Sequence, residues 1–182
     1  GNTSTCTFDV TVVDTTVPTI TCSANVSAEA TSSSGAAVSY DAAVATDIAD
    51  DSVAITYSAA SDSTFAIGTT QVTATATDDA GNTSTCTFDV TVVDTTVPTI
   101  ACSANVSAEA TSSSGAAVSY DAAVATDIAD DSVDITYSAA SDSTFAIGTT
   151  TVTATATDDA GNTATCTFDV TVVDTTVPTI TC

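Results

Sequence analysis

Six cysteines stand at positions 6, 22, 86, 102, 166 and 182, and the gaps between them alternate between 16 and 64 residues. Two pairings respect that alternation. Cys22–Cys86 and Cys102–Cys166 would each close one long loop, whereas Cys86–Cys102 and its equivalents would join successive segments. No CxxC and no histidine accompanies these cysteines, so thiolate metal binding is the weaker use for them. A second set of residues repeats with the same spacing. Asp14, Asp47, Asp50, Asp51, Asp78 and Asp79 recur as Asp94, Asp127, Asp130, Asp131, Asp158 and Asp159. Several carboxylates gathered from different loops would suit Ca²⁺, a hard cation that takes oxygen ligands. The alternative is that these aspartates only shape turns, which Asp and Asn favour. No EF-hand spacing is present to decide between the two.

The missing residues exclude chemistry as firmly as the present ones suggest it. The chain has 23 acidic residues and no Lys, Arg or His, a formal net charge of -23. No histidine means no His-based triad or general base. No lysine means no Schiff base and no Lys–Asn isopeptide staple. Without Lys or Arg the chain should not bind nucleic acid through its phosphates. The absence of tryptophan removes the best platform for stacking sugars. Glu29 and Glu109, the only glutamates, occupy equivalent positions, and no enzyme is expected. The negative charge requires counterions, diffuse or bound, and favours solubility. Hydrophobic residues make up 43% of the chain, which argues for a folded core over disorder.

The elements that would position these residues come from a near-perfect internal repeat. Residues 1–80 and 81–160 differ at three positions only, Thr21/Ala101, Ala54/Asp134 and Gln71/Thr151, and a third copy begins at Gly161. Such self-similarity is the mark of an array of modules. Within one copy, Cys86, Phe88, Val90 and Val92 alternate with Thr87, Asp89 and Thr91, a period of two that predicts a half-buried strand. Val72, Ala74 and Ala76 alternate with threonines, and Val53, Ile55 and Tyr57 with Ala54 and Thr56. Strands are predicted near 19–30 (broken around Ser23), 36–41, 53–58, 64–67, 70–77 and 83–93. Turn signals separate them at Ser32-Ser33-Ser34-Gly35 and Asp78-Asp79-Ala80-Gly81-Asn82. All three differences between copies fall on the outward phase. No helical period is evident and no apolar run is long enough to span a membrane. The fold class is therefore all-β, tandem immunoglobulin-like antiparallel sandwiches.

Asp14-Thr15-Thr16-Val17-Pro18-Thr19-Ile20-Thr21-Cys22, then Ser61 to Thr70, then Ala76-Thr77-Asp78-Asp79-Ala80-Gly81-Asn82 running on to Cys86-Thr87-Phe88, resemble the hyalin-repeat (HYR) family over the whole unit, twice. The resemblance implies an extracellular immunoglobulin-like module associated with adhesion and surface proteins. Two inner cysteines common in that family are absent here, around Ser33-Ser34-Gly35 and at Asp47-Ile48-Ala49, and Ser23 stands where Pro often follows the first cysteine.

Sandwich topology bears on both sets of candidates. First and last strands of such folds run parallel, so their starting ends share a pole. Cys22 lies in the first strand and Cys86 near the start of the last, while Cys86 and Cys102 are up to roughly 50 Å apart along an extended chain. The pairing Cys22–Cys86 and Cys102–Cys166 is therefore favoured, and it implies an oxidising, extracellular or cell-surface setting. Cys6 and Cys182 would then pair beyond these residues. The same pole collects the loops at 47–52 and 78–82 beside the linker through Asp14, where a cation would offset their repulsion and fix the angle between modules. Asn25 and Asn105 sit in N-x-S/T sequons and are the better glycan candidates, with Asn82 a turn residue. The expected organisation is a last strand at 1–14, sandwiches at 15–94 and 95–174, and a first strand at 175–182. Two functions remain in play. One is a segment of an extracellular filament or stalk whose partners are copies of itself. The other is a calcium-dependent adhesin repeat that holds a glycan or protein ligand.

Overall fold

The computed structural model describes residues 1–181, and none of them is helical. Two compact units form: Gly1–Ala28 with Ala36–Val93, and Glu29–Gly35 with the chain from Asp94 onward. The first copy of the repeat gives eight strands: β1 (Thr19–Thr21), β2 (Val26–Glu29), β3 (Ala36–Val38), β4 (Val44–Thr46), β5 (Ala54–Tyr57), β6 (Ser63–Phe65), β7 (Gly68–Thr77) and β8 (Thr83–Val93). The second gives β9 (Thr99–Ala101), β10 (Val106–Glu109), β11 (Ala116–Ala117), β12 (Val124–Thr126), β13 (Asp134–Tyr137), β14 (Thr144–Phe145), β15 (Gly148–Thr157) and β16 (Thr163–Val173).

Each copy builds one four-stranded sheet, in the order β2-β8-β7-β5 or β10-β16-β15-β13, and two short ribbons, β1-β4 with β3-β6 or β9-β12 with β11-β14. The long hairpin β7–β8 carries most of the pairing, with Val72 opposite Phe88 and Ala74 opposite Cys86. β10 runs parallel to β16 while β9 runs antiparallel to β12. The first edge of the module thus changes sheets at the break after Thr99–Ala101. β4 and its copy β12 lie outside the predicted strands. Val44–Thr46 is only three residues long with no buried side chain, so its pairing with β1 defines it and its own pattern does not.

The alternation read from the sequence is the alternation of burial. Val72, Ala74, Ala76, Phe88, Val90 and Val92 are buried, and so are their copies. In the second copy, Val152, Phe168, Val170 and Val172 from the large sheet pack against Ala116, Val118 and Phe145 from the facing ribbon. Each fully buried valine contributes roughly 1.5–3 kcal/mol relative to exposure. Tyr120 closes one end of this core edge-on to Phe168, with ring centroids 4.8 Å apart. Its hydroxyl donates to the Ala139 carbonyl, so the buried polar tip is satisfied. All six residues at the three positions that differ between 1–80 and 81–160 are exposed, which is why the copies tolerate them, and Ser84/Ala164, the one further difference between β8 and β16, is half-buried. The tight turn before β11 depends on Gly115. Its φ is 107° and a Cβ there would lie 1.8 Å from the Phe145 carbonyl oxygen, so no other residue fits.

Candidate metal centre

The β7–β8 turn is built around one aspartate. The Asn82 backbone N–H donates to Asp78 Oδ1 at 2.7 Å, and the Asn82 side-chain amide donates to Asp78 Oδ2 at 2.7 Å. The same amide reaches the Asp14 carbonyl at 3.4 Å, which ties the incoming linker to the turn. Asn162 repeats all three contacts with Asp158 and Asp94. Burial opposes ionisation of Asp78, but the hydrogen bonds from Asn82 and from the turn amides outweigh it and hold the carboxyl below its usual range.

Around this turn the other loops deliver their carboxylates. In the first copy Asp14, Asp47 and Asp78 each offer an oxygen, all within 4.8 Å of one another. In the second copy Asp94, Asp127, Asp130 and Asp158 do the same. Asp14, Asp47, Asp94 and Asp127 share one pattern. Oδ1 accepts a backbone N–H two residues on, from Thr16, Ala49, Thr96 and Ala129 respectively, as expected of aspartate in a turn. Oδ2 in all four is shut off from solvent and has no hydrogen-bond partner. Burial raises the Asp94 carboxyl above its ordinary value, the Thr96 amide partly offsets this, and repulsion from Asp127, Asp158 and Asp130 adds to the rise. Asp50, Asp51, Asp79, Asp131 and Asp159 stand apart from these groups. Asp50 and Asp130 each accept the backbone N–H of the next loop, from Asp79 and Asp159, at 2.7 and 2.6 Å. Asp51, Asp79, Asp131 and Asp159 contribute no oxygen to either group. Four carboxylates thus converge in the second copy, and no Lys, Arg or His exists in the chain to pair with them.

One pair of residues with a clear structural task is not legible in the sequence. Glu29 Oε1 accepts the Thr95 backbone N–H at 2.6 Å, and its carboxylate also takes the hydroxyls of Thr95 and Thr96. Glu109 holds Thr175 and Thr176 in the same way. The backbone donor comes first among the causes that lower both carboxyls. The only available signal is that these are the sole glutamates in a chain otherwise acidic through aspartate. The partners lie 66 residues away, beyond any local pattern.

The HYR domain profile matches residues 13–92 and again 93–172. The chain belongs to the HYR-domain family. Hyalin of Strongylocentrotus purpuratus is 40% identical over 185 residues, a match that covers 96% of this chain and 15% of the relative. This HYR pair therefore spans a small part of that protein's length. Among solved structures, Drosophila N-cadherin EC1-4 aligns with a TM-score of 0.45 at 13% identity, covering 87% of this chain and 50% of that one. Protocadherin gammaB7 EC3-6 aligns with a TM-score of 0.40 at 16% identity, covering 86% and 50%. The sandwich assignment rests on the sheets of the HYR modules themselves.

Each HYR module carries one disulfide, Cys22–Cys86 in the first and Cys102–Cys166 in the second, with Cα atoms 5.7 Å apart in both. The bond joins the first ribbon to the start of the last strand. Two disulfides in a chain of this size belong to an oxidising, extracellular setting. Cys6 is exposed and has no disulfide partner among the described residues, and Cys182 lies outside them. Asn25 and Asn105 are exposed, and each accepts a backbone N–H from the last strand, Asp89 or Asp169, through its side-chain carbonyl. The side-chain amide of Asn82, by contrast, is already committed to Asp78 and Asp14.

Proposed function

We propose that this chain is a structural segment of an extracellular filament or surface stalk, built of HYR sandwiches at 15–94 and 95–174 and partnered by copies of itself. The observation that carries this reading is the nature of the repeat. Residues 1–80 and 81–160 differ at three exposed positions only, and the two sandwiches add to these a single half-buried pair, Ser84/Ala164. An array of spacers needs the same core many times and no individual specificity, so such a pattern suits reach better than recognition. Each module would add roughly 35–45 Å, from strands of up to ten residues or so and a short linker. Pro98 and the grip of Glu29 on Thr95 and Thr96 support a linker with few free torsions. No catalytic role is assigned to any residue.

A second reading is a calcium-dependent adhesin repeat that holds a glycan or protein. It is favoured by the acidic groups above and by a shallow groove of about 410 Å³ beside Tyr40 and Tyr57, repeated at Tyr120 and Tyr137. The two readings part in one experiment. Electron microscopy of longer arrays should show fibres whose length scales with repeat number, while the present chain shows no saturable binding in a glycan and protein screen. Saturable binding by this chain, with no fibre from longer arrays, would replace the filament with the adhesin.

A further inference from the structure

We propose that Asp94, Asp127, Asp130 and Asp158 form a binding site for a hard divalent cation of the Ca²⁺ class. The site stands on its own, whether the chain is a spacer or a ligand-holding module.

The acidic cluster alone would not carry this, since aspartates gather in turns for reasons of backbone conformation. The decisive group is Asp94. Only 8% of its surface is exposed. One of its carboxylate oxygens satisfies the Thr96 amide, and the other is sealed from water with no donor to meet it. Asp127 repeats the arrangement, with one oxygen on the Ala129 amide and one left bare. A buried carboxylate oxygen without a donor is costly. Every neighbouring loop nevertheless brings a further carboxylate toward it, where a donor or an apolar side chain would have been the cheaper solution. A cation resolves the conflict by serving as the missing partner of both bare oxygens and cancelling the mutual repulsion.

The chemistry of the donors selects the class of ion. All are oxygens, with no sulfur or imidazole, which favours Ca²⁺ and its relatives over zinc or copper. The spacing agrees. Oxygens bound to one ion at 2.3–2.6 Å lie at most about 5 Å apart, and these four lie within 4.8 Å of one another. The Asn162 bonds to Asp158 and to the Asp94 carbonyl hold the floor of the site in place without occupying the bare oxygens. In the first copy Asp14 is only half-buried and three carboxylates converge, so the proposal is confined to the second copy.

The test uses the whole chain and Ca²⁺ as the probe, in isothermal titration and equilibrium dialysis at neutral pH and physiological ionic strength. Affinity is expected in the range of extracellular modules, about 0.1–1 mM. Asp94→Asn and Asp127→Asn keep the turn hydrogen bonds. Each should remove one equivalent of bound Ca²⁺ or weaken that equivalent at least about tenfold. Asp159→Asn, which changes the net charge equally from outside the group, should leave it within about twofold. Should Asp94→Asn fail to fold, Asp127→Asn and the unmodified chain still decide. Absence of saturable binding by the unmodified chain overturns the site. So does an equal loss in Asp159→Asn, which would reduce the effect to diffuse charge.

Discussion

Removing the second disulfide alone, by Cys102→Ala with Cys166→Ala, turns the chain into its own control. The bond closes a loop with a sequence separation of 64. Treating its effect as lost freedom of the unfolded chain, a loop of that length is worth about 4 kcal/mol. Domains of this size have about 5–15 kcal/mol of stability. The second module should therefore fall to the margin and its melting temperature drop by on the order of 15–30 °C. The first module, with Cys22–Cys86 intact, should keep its transition. Hydrogen exchange read by mass spectrometry can separate the two, because peptides containing Asp134 or Thr151 differ in mass from those containing Ala54 or Gln71. Protection should fall in the Asp134 and Thr151 peptides and persist in the Ala54 and Gln71 peptides. If protection in the two modules stays within about 1 kcal/mol, well below the loop-closure figure, the reasoning fails, and the cysteines do not staple the modules in this way.

Two further outcomes follow from polar groups described above. Ser84 Oγ is buried without a partner, and the third copy of the repeat has Ala164 at that position. Ser84→Ala should therefore stabilise the first module by about 1 kcal/mol in urea unfolding, and a loss of similar size would show that the hydroxyl is satisfied. Glu29 and Glu109 have their carboxyls lowered, first by the backbone N–H of Thr95 and Thr175. A carboxyl depressed by folding gives stability that is present above its unfolded value, near the ordinary 4.5, and is lost as pH falls through the folded value. Glu29→Gln with Glu109→Gln should flatten the acid limb of a plot of urea midpoint against pH below about 4.5, and an unchanged limb would assign acid sensitivity elsewhere.

What the sequence showed and what it hid divide along a physical line. The strands β7, β8, β15 and β16 are legible because one face is buried along ten or eleven residues, and burial with period two writes itself into the residue types. The strand at Val44–Thr46 exists through its partner, so no local pattern announces it. The aspartates are similar. Six per copy share a composition and a turn preference, yet only Asp14, Asp47 and Asp78, or Asp94, Asp127, Asp130 and Asp158, come together. Which turn aims its carboxylate inward depends on backbone geometry that residue identity does not encode. The clasp of Glu29 on Thr95 crosses 66 residues and leaves no trace in either neighbourhood.

The position of the disulfide governs how such a chain would carry a mechanical load. Tension applied along an array enters each module near its first strand and leaves from its last, and the two are covalently bridged through Cys22 and Cys86. Force then passes from sulfur to sulfur, and the residues inside the loop are bypassed even if the sandwich is torn open. Only the 16-residue step from Cys86 to Cys102 can be drawn straight, a length of about 55 Å at full extension. An unbridged repeat of 80 residues could instead pay out about 280 Å. A tether of these modules would be nearly inextensible while oxidised. Under reducing conditions it would become several times longer at the same force, so the redox state of its surroundings would set its compliance.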